Sequence, residues 1–310
     1  PGTLNLILDI PEELAKWANL KANSSRVVTT PDSAWCDARC YPVQIAGQIP
    51  GAILFPEVRS YPEAQIEIIA ALPLREQLSL VDGDKLSLTI CQPLSVRAAL
   101  FDVDGTLVDS VQAYRVVAER AVASYNIPIT IEMVRHALNV NHPNFWEMAV
   151  PANQPNRAEV MKEIRKEAMR QWPEVLRRYG GLFSGVRETL ETLQNRGLRL
   201  GIVTGSRGDS MQPLREAGLM EFFETVITGQ DVERRKPDPE GLLKGIAALG
   251  VTPDNTVYIG DGAIDIQASH AAGVASVGVL SGAGDSALLS AEGPDWLVHS
   301  HADLPGILKT

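Results

Sequence analysis

The stretch Ala98-Ala99-Leu100-Phe101-Asp102-Val103-Asp104-Gly105-Thr106-Leu107-Val108-Asp109-Ser110 decides how most of this chain folds. Four apolar residues in a row, without polar alternation, read as a strand buried on both faces, the kind found in parallel sheets covered by helices. The run stops at Asp102. Two carboxylates two residues apart at a strand end can share one magnesium ion: Asp102 offers an oxygen ligand and a nucleophile, Asp104 an acid and a base. Gly105 permits the sharp turn that aims both at one centre.

Working outward, short apolar runs at Leu200 to Val203, Thr225 to Ile227, Val257 to Ile259 and Val274 to Val279 alternate with helical patterns. That alternation marks βαβ units, so the expected fold is α/β, a Rossmann-like doubly wound parallel sheet with Ala98 to Phe101 as its first, central strand. Between Ser110 and Tyr179 the pattern is helical, as in Ala113 to Tyr125 and Ala158 to Trp172, which predicts a helical cap inserted after the first strand. In open α/β sheets ligands sit beyond the carboxyl ends of the strands. Three further segments fall there. Ile202-Val203-Thr204-Gly205 ends a strand in a hydroxyl and free backbone N–H groups, a neutral cradle for phosphate oxygens at Thr204 and Gly205. Arg234-Arg235-Lys236-Pro237 is a cationic turn whose Lys236 can face both the Asp102 carboxylate and a transferring phosphoryl group. Val257-Tyr258-Ile259-Gly260-Asp261 ends a strand in a second carboxylate, with Asp265 one helical turn on. Asp261 is the best metal ligand from a second loop. Asp265 suits orienting Lys236 or a metal-bound water, and the pair also suits a helix N-cap.

These four segments, in this order, resemble the haloacid dehalogenase superfamily of aspartate-nucleophile phosphatases over about residues 97 to 309. The resemblance implies a phosphomonoesterase in which Asp102 attacks phosphorus to give an aspartyl-phosphate, while Asp104 protonates the leaving oxygen and then activates water. Thr204, Gly205 and Lys236 would hold the phosphate. Mg2+ would be bound by Asp102, the main-chain carbonyl of Asp104 and Asp261, with Asp265 in support. The helical insertion, with Leu182-Phe183-Ser184-Gly185-Val186 re-entering the core, looks like the phosphoglycolate-phosphatase and β-phosphoglucomutase branch. The mutase subgroup carries a histidine where this chain has Tyr114, which favours hydrolysis. His136, Asn139, Asn141, His142 and Trp146 of the cap, with Arg207 beside the second motif, are candidates for reading the leaving group; for His136 and Trp146 burial in the lid is the competing reading.

Residues 1 to about 96 differ, with β-like runs at Thr3 to Leu8, Val43 to Ile45, Ile66 to Ala70 and Lys85 to Cys91 between turn signals such as Asp82-Gly83-Asp84. A small all-β barrel is expected, joined at Gln92-Pro93-Leu94-Ser95. The expected organisation is 1–96 for the barrel and 97–310 for the second domain, with core 97–110 and 180–310 and cap 111–179. Pro1-Gly2-Thr3-Leu4-Asn5, Cys40-Tyr41-Pro42, Gly51-Ala52-Ile53, Tyr61-Pro62 and Leu74-Arg75 with Asp82-Gly83-Asp84 together resemble the archaeal-type CTP-dependent riboflavin kinase. That resemblance implies flavin or CTP as partners, with Thr3 and Asn5 at nucleotide-bound magnesium; both also suit β-edge and turn positions. The family's glycine-rich nucleotide segment lies upstream of this motif, and a chain starting at Pro1 is expected to be processed, trimmed or incomplete. Two arrangements follow: a bifunctional flavin enzyme that makes and removes FMN, or a phosphatase with a non-catalytic nucleotide or flavin module.

Composition bounds these readings. With 28 Lys and Arg against 38 Asp and Glu, the net charge of -10 argues against a nucleic-acid partner and for a small phosphorylated metabolite met through a divalent cation. No apolar run approaches the ~20 residues of a membrane span, so no membrane partner is expected. Cys36, Cys40 and Cys91 make no even disulfide framework, and no secretory signal is apparent, which points to a cytoplasmic setting. Cys36 and Cys40 lack a second ligand pair for zinc and read as ordinary thiols.

Overall fold

The computed structural model describes residues 93–310 apart from 140–144 and 285; before them it describes 2–8, Glu13, Leu14, Trp17, 26–28, 38–47, 49–56, Val58, 61–62, 64–70 and 72–90. Cys36, Cys91, Asn141 and His142 lie outside the described residues. The chain divides into two compact units, Pro1–Gln92 and Pro93–Thr310.

The first unit contains β1 (Gly2–Ile7), β2 (Arg26–Val28), β3 (Ala38–Ile45), β4 (Ile49–Pro56), β5 (Gln65–Ala70) and β6 (Leu88–Ile90). They pair antiparallel in the order β1-β5-β4-β3-β2, with β6 also on β3, forming a half-barrel in a small all-β domain. Period-2 patterning makes the inner face: in β5, Ile66, Ile68 and Ala70 are buried while Gln65, Glu67 and Ile69 are only partly so. Ile45, Ile53, Phe55 and Ile68 fill the core with Trp17, whose ring stacks on Phe55 at 4.5 Å between centroids. β2 and β4 were not among the runs expected from the sequence, because β4 carries Pro50 and Gly51, which read as turn residues.

The second unit begins with β7 (Leu94–Ser95), which pairs with the C-terminal β16 (Leu308–Lys309). Its main sheet is built from β8 (Ala98–Phe101), β11 (Arg199–Val203), β12 (Thr225–Ile227), β13 (Thr256–Gly260), β14 (Ala275–Val279) and β15 (Trp296–Val298), all parallel, in the order β12-β11-β8-β13-β14-β15. Every residue of β8 is fully buried, which the unbroken apolar run requires. From β8 the chain winds outward to β11 and β12, then returns to the other side of β8 for β13, β14 and β15. The strand order therefore reverses at β8, and the crevice beyond its carboxyl end is the switch point where such folds bind ligands. The helices Glu240–Ala248 and Ala263–Ala272 cover one face, packing Leu242, Ile246 and Ala268 on Leu100, Val203 and Tyr258.

β9 (Val108–Asp109) and β10 (Gly181–Leu182) pair antiparallel and pinch together the two ends of the inserted segment. Between them, among the described residues, lie the α-helices Val111–Val122, Ile131–Asn139, Phe145–Ala149 and Arg157–Tyr179. Ala121, Val122, Ile127, Val150 and Ile164 form their shared core. A second cluster, Val111 and Val134 with Ala283, joins this cap to the sheet-bearing core. Among the described residues no helix is long and apolar enough to cross a membrane.

Candidate active site

The turn after β8 is wound tightly by its own backbone. The Val103 carbonyl accepts the N–H groups of Thr106, Leu107 and Val108, and Gly105 N–H bonds the Val108 carbonyl at 2.8 Å. Gly105 sits at φ +79, and a Cβ placed there would lie 2.0 Å from Asp261 Oδ2. Glycine is thus demanded twice, by the backbone and by the close approach of a carboxylate from β13.

Asp102, Asp261 and Asp265 converge at the carboxyl ends of β8 and β13. Their exposures are 6%, 4% and 2%, and one ligand oxygen from each lies within 4.8 Å of the others. Lys236, from the loop after β12 and 8% exposed, is the buried cation that meets them. Its three donors are all used: Nζ reaches Asp102 Oδ1 at 2.8 Å, Asp265 Oδ1 at 2.5 Å and the Tyr258 hydroxyl at 2.9 Å. Burial pulls the Lys236 ammonium down, but Asp102 and Asp265 outweigh it and hold the group well above its ordinary value. Asp102 is pushed up to about 7 by burial, against the downward pull of Lys236. Asp261 is driven well above the carboxylate range by burial and by the charges of Asp265 and Asp102; its partners are the Thr106 hydroxyl at 3.1 Å and the Ala283 N–H at 2.9 Å, both neutral. Asp265 commits Oδ2 to the Gly262 N–H at 2.9 Å, capping the helix Ala263–Ala272, while its Oδ1 accepts from Lys236.

Asp104 is half-buried, less enclosed than the other three. Burial raises its carboxyl, and the hydroxyls of Ser210, Ser110 and Tyr114 pull the other way. Among the described residues, Oδ1 of Asp104 and the Ser110 hydroxyl are buried polar atoms without a hydrogen-bond partner. Thr204 ends β11, 4% exposed; its Oγ1 accepts the Ser206 N–H at 3.2 Å, which curls the following Gly205 and Ser206 around the strand end.

The structure thus brings together Asp102, Asp104, Thr204, Gly205, Lys236, Asp261 and Asp265. Asn5 is an exposed residue of β1 opposite Glu67, and of Thr3 only the backbone, paired with Ile69, is described. In the cap, Trp146 lines a cavity beside the site. Asn139 instead is buried and donates to the Ala283 carbonyl at 2.6 Å, tying cap to core. His136 is exposed on its helix rather than buried in the lid, because the buried side of that helix is Val134 and Asn139. Sequence reasoning missed Tyr258, whose hydroxyl also donates to the Val203 carbonyl at 2.7 Å. The available signal was a polar tip inside a wholly buried strand, which must find a partner. It also gave no role to Thr106, Ala283 or Ser210.

Comparison with known proteins agrees with this geometry. The family model of haloacid dehalogenase-like hydrolases matches residues 99–279. That of CTP-dependent riboflavin kinase domains, described as "Domain of unknown function DUF120", matches residues 1–90. Phosphoglycolate phosphatase of Salmonella paratyphi A is 32% identical over 230 residues, spanning 68% of this chain and 91% of that protein. The Escherichia coli O157:H7 phosphoglycolate phosphatase is 32% identical over 229 residues, 67% of this chain and 91% of its own. Among solved structures, a "predicted phosphoglycolate phosphatase" from Haemophilus somnus superposes with TM-score 0.62 at 27% identity, covering 68% of this chain and 97% of that one. A hydrolase from Pseudomonas syringae does so with TM-score 0.58 at 25% identity, over 67% and 96%.

Proposed function

The chain belongs to the haloacid dehalogenase-like hydrolases and is a phosphatase like phosphoglycolate phosphatase, and from that premise we propose that it hydrolyses a small phosphorylated metabolite through an aspartyl-phosphate on Asp102. The observation that carries this reading is the convergence of Asp102, Asp261 and Asp265 at the sheet's switch point, with one buried lysine bonded to the first and last of them.

The residues fit a magnesium ion. Of the three buried carboxylates, Asp102 and Asp265 share a single ammonium, and Asp261 has no cationic partner among the described residues. Such an excess of buried negative charge calls for a hard, oxygen-seeking cation. Asp102, the main-chain carbonyl of Asp104 and Asp261 would hold it, with Asp265 in support. When bound, it supplies positive charge beside the phosphate oxygens and favours the ionised form of Asp102.

Lys236 holds Oδ1 of Asp102, and no protein donor among the described residues occupies Oδ2. An Asp102 oxygen attacks phosphorus as the ester bond breaks. Asp104, whose burial favours the acid form, gives its proton to the departing oxygen. Asp104 then takes a proton from water, which attacks phosphorus and restores the Asp102 carboxylate. Thr204 and the backbone of Gly205 steady the phosphate oxygens, and Lys236 offsets their charge. Phosphate release from a panel of phosphorylated metabolites, with magnesium and with chelator, tests the proposal. Asp102→Asn should reduce turnover to background and abolish a trapped acyl-phosphate, while Asp104→Asn should lower kcat about 10²–10⁴-fold. An Asp102→Asn variant at full rate would refute it.

For residues 1–90, likeness to riboflavin kinase domains supports a second reading: this unit binds flavin or CTP, with Thr3 and Asn5 at nucleotide-bound magnesium. FMN formed from riboflavin and CTP would make the chain a bifunctional flavin enzyme. Saturable binding without turnover would make the unit a non-catalytic module, and absence of binding to either ligand would exclude both.

A further inference from the structure

Between the cap helices and the loop after β11 lies a cavity of about 420 Å³, within the range of small-ligand pockets. Its cap side is aromatic and apolar, with Tyr114, Phe145, Trp146, Met169 and Trp172. Tyr114 and Trp172 lie 4.3 Å apart between ring centroids at 33°, and Phe145 meets Trp146 edge-on at 4.9 Å. Its core side adjoins the reaction centre: Gly205 and Ser206 follow Thr204, whose hydroxyl meets that of Ser206 at 3.3 Å, and Arg235 directly precedes Lys236. Three charged residues line it, all exposed: Arg207, Arg235 and Asp209; among the described residues neither arginine is paired with a carboxylate, so the lining carries a net positive charge.

A leaving group released next to Thr204 and Gly205 would extend into this space. A two-carbon hydroxy acid presents no apolar surface to five large side chains and leaves most of the volume unused. A planar ring would stack on the tryptophans, and an anionic substituent on that ring would meet the unpaired guanidinium groups. We propose that the substrate is a phosphomonoester whose leaving alcohol carries an aromatic or heteroaromatic ring bearing a second anionic group. This rests on the phosphatase reading above and names the substrate class for the same site.

The test compares kcat/KM of the magnesium-loaded full chain for 4-carboxybenzyl phosphate, benzyl phosphate, ethyl phosphate and 2-phosphoglycolate, which all release a primary alcohol. The carboxybenzyl ester should exceed ethyl phosphate by about tenfold or more, the size of one ring-stacking contact. Trp146→Ala should lower that preference about tenfold. Ala137→Phe, which fills the cavity without removing cap packing, should lower it also and guards against misfolding of the first variant. Arg207→Gln should erase the advantage of carboxybenzyl over benzyl. If the ring esters are no better than ethyl phosphate or 2-phosphoglycolate while Asp102→Asn abolishes turnover of all four, the substrate class is wrong and the phosphatase reading stands. If no ester is cleaved, the phosphatase reading fails, and titration with benzylphosphonate and ethylphosphonate decides the pocket alone. Tighter binding of the benzyl compound that Ala137→Phe removes would uphold a ring site; equal binding would overturn it.

Discussion

Replacing Tyr258 by phenylalanine removes one oxygen from the centre of the site and little else. The ring stays among Leu100, Val203 and Ile246, so no cavity larger than the hydroxyl opens. Lost are a bond to the Val203 carbonyl at 2.7 Å and a bond from Lys236 at 2.9 Å. The first is a neutral hydrogen bond of about 1 kcal/mol, and the second, from a buried ammonium, contributes about 1.5–3 kcal/mol. Because Asp102 and Asp265 occupy the other two Lys236 donors, the third is left without an acceptor. The expected destabilisation is about 3 kcal/mol, which lowers the melting temperature of a domain this size by roughly 6–12 °C. Lys236 is also less firmly aimed at Asp102. As with other residues that orient a catalytic group, kcat should fall about 10–100-fold while KM changes less. A purely structural role would spare the pH profile. Here the acid limb of kcat/KM should move to higher pH, because a looser Lys236 depresses the Asp102 carboxyl less. Thermal melts and pH-dependent steady-state kinetics on wild type and Tyr258→Phe provide the comparison. A melting temperature within about 1 °C of wild type, with kcat within about twofold, would refute the account of Tyr258 as the support of Lys236.

Gly105→Ala should be damaging on two grounds: the left-handed backbone costs about 1–2 kcal/mol, and the added methyl would sit 2.0 Å from Asp261 Oδ2. Asp261 must shift, so the magnesium concentration for half-maximal activity should rise at least about tenfold, and an unchanged magnesium titration would contradict the predicted contact. Asn139→Ala breaks the 2.6 Å bond to the carbonyl of Ala283, the residue whose N–H holds Asp261; a loss of about 1 kcal/mol in chemical denaturation is expected, together with a higher magnesium concentration for half-maximal activity than in wild type. His301, 1% exposed and stacked on Phe183, is kept neutral by burial, its pKa lowered to about 4. The unfolded chain binds this proton near pH 6.5 and the folded one does not, so the stability is complete above 6.5 and is lost as pH falls towards 4. That component amounts to about 3 kcal/mol, and urea midpoints at pH 7 and 4.5 should show a steeper decline for wild type than for His301→Leu.

Much of the core was legible because its signals are local. An unbroken apolar run followed by Asp-x-Asp-Gly specifies a buried strand and the turn after it within a dozen residues, and the parallel strands at Arg199–Val203 and Thr256–Gly260 announce themselves in the same way. The short β15 at Trp296–Val298 went unrecognised. In the cap, the helical period was readable over Ala158 to Trp172 of the helix Arg157–Tyr179, but not which helix face would meet the core. Asn139 reads as a polar helix terminus with a free amide, yet folding spends that amide on a core carbonyl 144 residues away.

The sequence by itself determined which residues could carry the chemistry of Asp102 and its neighbours, because a carboxylate at a strand end needs only its adjacent residues to be placed there. Tertiary structure decided what each of them does to the others. Lys236 and Asp102 are 134 positions apart in the chain and 2.8 Å apart in space. Their pairing, the support from Tyr258 and the aromatic cavity beyond Asp104 arise only when β8, β11 and β13 lie side by side and the cap folds over their ends. Charge, hydrogen bonding and enclosed volume depend on distance in three dimensions, and linear spacing does not encode that distance once strands cross over.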